Sequence, residues 1–249
     1  MSGARRPLVG GNWKMNLLAA EGEALAGGLA DETAGAAAEV VLFPSHPLLA
    51  RVATALGSAP IAVGGQDLHP EVSGAHTGDV SGPQLVDAGC SWVLCGHSER
   101  RQDHGECDAL VGCKVEAAIE HGLVPLLCVG ETADERRAGE TRAVVERQLA
   151  AGIASRPPRF ALAYEPIWAI GTGDTATPAE AQEVHAHLRE VLADLVGSEI
   201  ADARRILYGG SVKAENAADL IAQSDIDGFL VGGASLDVSG FSAIIRCCG

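Results

Sequence analysis

The sequence predicts an α/β protein whose parallel strands close into a single eight-stranded β/α barrel. Its 249 residues, 47% of them hydrophobic, are enough for one large core. Short apolar segments alternate with amphipathic helical segments along the whole chain, which is typical of a parallel sheet. Eight such repeats in about 250 residues fit a closed barrel better than an open sheet.

The strand candidates are short apolar runs that recur along the chain. In order they cover Leu8–Asn12, 40–43, Ile61–Gly65, Trp92–Cys95, Val124–Val129, 160–164, 205–208 and Gly228–Val231. An open doubly wound sheet of the flavodoxin or Rossmann kind is the alternative arrangement. The first turn lacks the dinucleotide glycine fingerprint, and Gly171-Thr172-Gly173 has no third glycine at the required spacing.

The helical segments are rich in alanine and leucine and carry amphipathic patterns. They cover 19–30, 113–120, Thr141–Gly152, Pro178–Val196 and 214–222. Thr177 is predicted to cap the helix that begins at Pro178, and Gly197 to end it. No linker divides the chain, so we expect residues 1–249 to form one domain.

Charge and cysteine content exclude several classes of function. The chain has 18 basic and 33 acidic residues, and its formal charge of -15 opposes binding to nucleic acids or anionic membranes. An anionic ligand must therefore be held by local donors. Seven cysteines without a CxxC pair argue against a disulfide framework or a structural zinc site and favour a reducing compartment. Without a signal-peptide core or a membrane-spanning apolar run, the sequence predicts a cytoplasmic protein.

One carboxylate follows the sixth strand candidate and precedes an apolar segment. Glu165 is followed by Pro166, by the apolar residues 167–170, and by Gly171 and Gly173. Proline restricts one end of this segment and glycine frees the other, a layout that predicts a desolvated base under a lid. An ordinary β-to-α turn with a solvated glutamate is the alternative interpretation.

Polar residues and glycines also follow four other strand candidates. They are Asn12-Trp13-Lys14, Gly96-His97-Ser98-Glu99, Gly209-Gly210-Ser211 and Gly232-Gly233. Because the carboxyl ends of barrel strands meet at one face, we expect a cation, an imidazole, a carboxylate and two anion-binding glycine turns to lie together. Taken singly, the histidine could be structural, the lysine a solvated charge and the glycine pairs tight turns.

These segments, in this order, resemble the signatures of the triosephosphate isomerase family over nearly the whole chain. The matching strings are Gly11-Asn12-Trp13-Lys14-Met15-Asn16, Gly96-His97-Ser98-Glu99-Arg100-Arg101, 164–173, Tyr208-Gly209-Gly210-Ser211 and Val231-Gly232-Gly233. The resemblance implies interconversion of dihydroxyacetone phosphate and D-glyceraldehyde 3-phosphate, a step of glycolysis and gluconeogenesis. It implies no metal and no organic cofactor.

The resemblance also assigns roles to individual residues. It implies that Glu165 is the base, that neutral His97 polarises the substrate carbonyl, and that Lys14 attracts the phosphate and stabilises the enediolate. Asn12 and Gly171 are placed among the substrate-binding residues. Backbone N–H groups at Gly173, Ser211, Gly232 and Gly233 are expected to bind the phosphate. Glu99 and Cys128 are expected to support the site.

The resemblance further implies a homodimer. The connection 66–79 is long for a β-to-α loop, and in the family it inserts into a partner subunit, where the residue matching Thr77 reaches the other active site. His76 stands where the family often has an aromatic residue. Separately, strand alternation predicts that Cys95 points into the barrel beneath His97.

Two other functions remain open at this point. One is a phosphate-binding barrel lyase that forms a Schiff base, for which Lys14 is the lysine at a strand end. The other is a catalytically silent barrel that kept the fold for partner binding. Against the second, Glu165, His97 and Lys14 are all present.

Overall fold

Eight parallel strands close into a barrel in a computed structural model that describes residues 5–169 and 176–249. The strands are β1 Leu8–Asn12, β2 Glu39–Phe43, β3 Ile61–Gly65, β4 Trp92–Cys95, β5 Val124–Val129, β6 Ala161–Tyr164, β7 Ile206–Tyr208 and β8 Gly228–Val231. Each pairs with its chain neighbour, and β1 pairs with β8 to close the sheet. The predicted closed barrel is confirmed, and the predicted strand bounds agree within one residue.

Helices surround the barrel and follow the strands in sequence. Within the described residues they are α1 Ala19–Glu32, α2 Leu49–Leu56, α3 Gly82–Asp87, α4 Ser98–His104, α5 Asp108–Glu120, α6 Ala133–Arg137, α7 Thr141–Gly152, α8 Pro178–Val196, α9 Ser198–Ala203, α10 Ala214–Ile221 and α11 Val238–Arg246. As predicted, the Thr177 hydroxyl accepts a hydrogen bond from the Glu180 N–H, and Gly197 ends α8. The sequence prediction began α5 five residues too late, at 113 instead of 108.

The strands bury both faces. One face fills the barrel interior with a cluster that includes Phe43, Trp92, Leu94 and Cys128. The other packs against the surrounding helices. Burying both faces removes a large apolar area from water, which is the main stabilising contribution to a barrel of this kind. The described residues contain no helix with the length and apolar character needed to cross a bilayer.

Cys95 belongs to the outer cluster, with Val93, and not to the barrel interior. The prediction that it points beneath His97 is therefore wrong. Strand alternation holds from Trp92 to Cys95 but stops at Gly96, whose φ of +70° turns the chain before His97. A Cβ at Gly96 would also lie 2.7 Å from Val111, so the turn requires glycine. The cysteine inside the barrel is Cys128, near the Glu165 carboxylate.

His185 on α8 is a fully buried imidazole that is held neutral. Its Nδ1 lies 3.1 Å from the Asp225 carbonyl oxygen and donates to it, and its ring packs edge-on against Tyr164. Burial lowers the pKa of His185 from about 6.5 to about 4. The unfolded chain therefore binds a proton in this pH range that the folded chain does not, and we expect stability to fall as the pH drops from 6.5 towards 4.

This histidine should contribute about 3 kcal/mol to that loss of unfolding free energy. His185→Gln keeps a donor for Asp225 but cannot titrate, so its urea-unfolding free energy should depend less on pH over this interval. The exposed His104→Gln serves as the control. Identical pH slopes for the parent and His185→Gln would contradict the assignment.

Candidate active site

A cavity of about 310 Å³ lies at the carboxyl ends of the strands. Its lining comprises Asn12, Lys14, His97, Glu165, Gly209, Gly210, Ser211, Val212, Lys213, Leu230, Gly232, Gly233 and Ala234. Residues that follow β1, β4, β6, β7 and β8 therefore meet around one space. Gly171 and Gly173, which the sequence analysis places among the substrate-binding residues, lie outside the described residues.

Lys14 occupies an unusual backbone conformation just after β1. Its φ of +51° is in the left-handed region, which is costly for a residue with a side chain. Two side chains hold this turn. Asn12 Oδ1 accepts from the Lys14 N–H at 3.0 Å, and Gln66 Nε2 donates to the carbonyl oxygens of Lys14 and Phe43 at 2.9 and 2.8 Å. Sequence reasoning missed Gln66, although it opens the long 66–79 loop.

The lysine side chain points along the cavity wall. Its Nζ lies 2.5 Å from Glu99 Oε1, which orients the ammonium, and its Cε lies 3.5 Å from where a Cβ on Gly232 would be. The ammonium therefore stands beside the glycine turn that follows β8. Glu99 also borders a second cavity of about 470 Å³, which Asn12, Lys14, Met15 and His97 help to line.

Glu165 and His97 are in direct contact. Glu165 has 2% of its surface exposed, and its Oε1 lies 2.9 Å from His97 Nε2. Its Oε2 accepts a hydrogen bond of 2.9 Å from the backbone N–H of Ser98. The Glu99 N–H donates to His97 Nδ1 at 3.2 Å, so this nitrogen bears the lone pair and Nε2 carries the hydrogen of a neutral ring.

The contact shifts the pKa values of this pair in opposite directions. Burial disfavours charge on both groups, but the charge of the partner and the shared hydrogen bond raise the pKa of His97 and lower the pKa of Glu165. Burial alone would raise the pKa of Glu165, the opposite of what this arrangement produces. His97 caps the N-terminus of α4, where the helix dipole opposes an imidazolium. Apart from the contact with Glu165, burial and the dipole both favour the neutral imidazole.

Two glycine turns form the far wall of the cavity. Gly209 donates its N–H to the Tyr164 carbonyl at 2.7 Å, and a Cβ there would lie 3.0 Å from Glu165 Cγ. The turn after β7 can therefore approach the carboxylate only as glycine. After β8, Gly232 and Gly233 lead into a short 3-10 turn, Gly233–Leu236. Such turns present backbone N–H groups to anions.

The remaining predicted residues lie outside the cavity lining. Cys128 is buried on β5, and burial together with the nearby Glu165 raises the pKa of its thiol. Thr77 is exposed on the 66–79 loop. Trp168 Nε1 donates to Glu131 Oε1 at 2.9 Å, which holds the indole against this buried carboxylate.

Within residues 5–169 and 176–249, one group brings three potential metal-ligating side chains together, namely His69, His76 and Asp79. The two histidine rings stack with centroids 3.9 Å apart and 30° between their planes. His69 Nδ1 also accepts from the Glu71 N–H at 3.0 Å. These contacts hold the interior of the loop together.

The fold and the cavity define a β/α-barrel enzyme in which a carboxylate and an imidazole lie beside a lysine and two anion-binding turns. Comparison with known proteins identifies the family of this enzyme. The sequence profile of the family described as triosephosphate isomerase matches residues 7–248. The chain is 50% identical over 253 residues to the triosephosphate isomerase of Chloroflexus aurantiacus, covering 97% of this chain and 99% of that protein.

Two further relatives have the same description. The triosephosphate isomerase of Xanthobacter flavus is 51% identical over 254 residues and covers 100% of both chains. That of Moorella thermoacetica is 51% identical over 246 residues, covering 97% of this chain and 98% of the other. The chain belongs to the triosephosphate isomerase family.

Proposed function

We propose that Glu165, His97 and Lys14 carry out the reaction of this family, the interconversion of dihydroxyacetone phosphate and D-glyceraldehyde 3-phosphate. The protein is an isomerase of glycolysis and gluconeogenesis by its family membership. One observation supports the proposed roles above all others: the three side chains, from three separate strand ends, line one cavity large enough for a three-carbon phosphate.

Each role follows from the chemistry of the contacts. Glu165 accepts the proton from the carbon next to the substrate carbonyl, because its carboxylate is buried and is oriented by the Ser98 N–H. His97 donates its Nε2 hydrogen to the carbonyl oxygen, since Nδ1 is occupied by the Glu99 N–H. The 2.9 Å separation of the two groups lets both reach one small substrate.

Lys14 and the glycine turns complete the site. Lys14 stabilises the enediolate and the phosphate, and Asn12 supports it through the lysine backbone. Ser211, Gly232 and Gly233 bind the phosphate through their backbone N–H groups, together with Gly171 and Gly173 from the segment outside the described residues. Glu99 and Cys128 support the site. These steps use only groups of the chain itself. We also propose a single domain over residues 1–249 and a cytoplasmic location.

A coupled assay that consumes glyceraldehyde 3-phosphate tests the proposal. We expect turnover without added metal or cofactor, and no covalent adduct when borohydride is added with substrate. A lysine adduct under borohydride would favour the Schiff-base lyase instead. Absence of turnover with intact binding of the phosphate compound would favour a silent barrel.

We propose that the active form is a homodimer joined through the 66–79 loop. Apolar side chains are exposed around it, including Met15 at 95% and Val72 at 53%. The loop is held at its base by the His69 N–H bond to the Val80 carbonyl, and its interior by the His69–His76 stack. The 470 Å³ cavity beside Lys14 and Glu99 offers space for the partner's loop, including Thr77.

Val72→Glu is expected to dissociate this dimer and to remove most of the activity. The new carboxylate would be desolvated in the interface, and the partner's loop would no longer complete the site. Light scattering during gel filtration and the coupled assay measure the two effects. Ile200→Glu alters an exposed apolar residue on α9 and is the control. A monomer with full activity would refute the proposal.

A further inference from the structure

We infer that Arg136 is a positioning residue for Glu165, because its guanidinium contacts Trp168, three residues after Glu165, and also Glu131 and Glu180. This inference deepens the proposed function and rests on it. Arg136 lies on α6 and is not among the described residues that line the 310 Å³ cavity. It acts through Trp168, Glu131 and Glu180.

The first contact is with Trp168, three residues after Glu165. The centre of the Arg136 guanidinium lies 4.1 Å from the centroid of the indole ring, within the range of a cation–π interaction. Pro166 stiffens the short connection between Glu165 and this ring. A displacement of Trp168 is therefore transmitted to the backbone that carries the base.

The second contact is with Glu180, at the start of α8. Arg136 Nη2 lies 2.8 Å from Glu180 Oε1. The other oxygen of the same carboxylate, Oε2, accepts from the N–H and the hydroxyl of Thr177 at 2.9 and 2.8 Å. One glutamate therefore joins the cap of α8 to Arg136.

The third contact is with Glu131, which is buried. Its Oε1 accepts from Trp168 Nε1 and from the Tyr164 hydroxyl, and Arg136 Nη1 lies 3.6 Å away. Burial raises the pKa of Glu131, and the charge of Arg136 opposes this shift. The arginine therefore helps to keep Glu131 an acceptor for both aromatic side chains that adjoin Glu165.

These contacts distinguish Arg136 from an ordinary surface arginine. Arg142 provides the comparison, because it forms an exposed ion pair with Glu183 on α8, the helix that also carries Glu180. The contacts with the indole ring and with Glu131 are those of Arg136. The planar guanidinium of Arg136 stacks on the indole and binds two carboxylates, which the ammonium of lysine cannot reproduce.

The test compares Arg136→Met and Arg136→Lys with Arg142→Met in the full-length protein. We expect Arg136→Met to lower kcat about tenfold with little change in KM, from the lost cation–π and ionic contacts. Arg136→Lys should recover only part of the loss. Arg142→Met should stay within about twofold of the parent, as expected for an exposed ion pair.

A double-mutant cycle with Trp168→Phe isolates the contact. If Arg136 acts through Trp168, the double variant should lose less kcat than the sum of the single losses predicts. Fully additive losses, or equal kcat for Arg136→Met and Arg142→Met, would overturn the inference. Thermal unfolding of each variant identifies a loss caused by misfolding, in which case Arg136→Lys decides the comparison.

The inference and the proposed function fail in different ways. A parent protein without isomerase activity would reject the function. The contact itself is then decided by Trp168 fluorescence, taken as the difference between each protein and its Trp168→Phe variant. We expect the emission to change in Arg136→Met and to stay unchanged in Arg142→Met, and no change in either would reject the positioning role.

Discussion

Replacing Glu165 with glutamine is expected to lower kcat by about 10⁴-fold, the upper end of the contribution of a general base. The amide has nearly the shape of the carboxylate and can still accept the hydrogen bond from the Ser98 N–H. It cannot accept a proton from carbon. The loss should therefore appear in kcat more than in KM, and the fold should be preserved.

The reaction can be followed directly as exchange of the substrate's carbon-bound hydrogen with solvent deuterium, measured by NMR. Glu165→Gln should abolish this exchange along with turnover. Glu165→Asp keeps a base that is one methylene shorter, so it should retain more activity than the amide. His97→Gln, which keeps a donor near the carbonyl, should lose less than Glu165→Gln. Exchange at the parent rate in Glu165→Gln would show that another group is the base.

The second large effect is expected for Lys14→Met, which should lower kcat/KM by about 10³-fold. Methionine has a similar length and leaves the surrounding packing largely intact. It removes an ammonium from a site in a chain with a formal charge of -15, where an anionic substrate depends on local cations. Glu99, now facing the phosphate without its partner at 2.5 Å, would add repulsion.

Lys213→Met is the matched control, because Lys213 lines the same cavity from the residue before α10. We expect Lys213→Met to have a much smaller effect than Lys14→Met. The reason is that Lys14 is held by Glu99 and lies beside the β8 turn, where we propose that the phosphate binds. Inhibition by inorganic phosphate should weaken strongly in Lys14→Met. Equal losses in the two lysine variants would indicate a diffuse electrostatic effect instead of a specific role for Lys14.

Much of the barrel could be predicted from the sequence because its strands are short apolar runs bounded by polar residues and glycines. The helices were harder where local pattern is weak. Helix α4 is seven residues long, highly charged and without apolar periodicity, so the sequence pattern does not predict it as a helix. Helix α11 has an amphipathic pattern, but Gly240 and its β-branched residues have low helix propensity and weaken the prediction of a helix.

Some features of the candidate site could also be predicted from the sequence, and others could not. The residues at the strand ends could be identified because the barrel brings those ends together. The direction of Cys95 could not be, since the turn at Gly96 interrupts the alternation on which the prediction depended. The contact between Glu165 and His97, and the contacts of Arg136 with Trp168 and Glu180, join residues 30 to 70 positions apart and leave no local pattern.

The left-handed backbone at Lys14 has an evolutionary consequence. Glycine would adopt this φ without strain, so selection for heat resistance alone would favour losing the lysine. If Lys14 has the proposed role, selection for turnover keeps a charged side chain at this turn. Laboratory evolution that selects for folding and not for activity should therefore replace Lys14 early. The resulting barrel would be more stable and catalytically inactive.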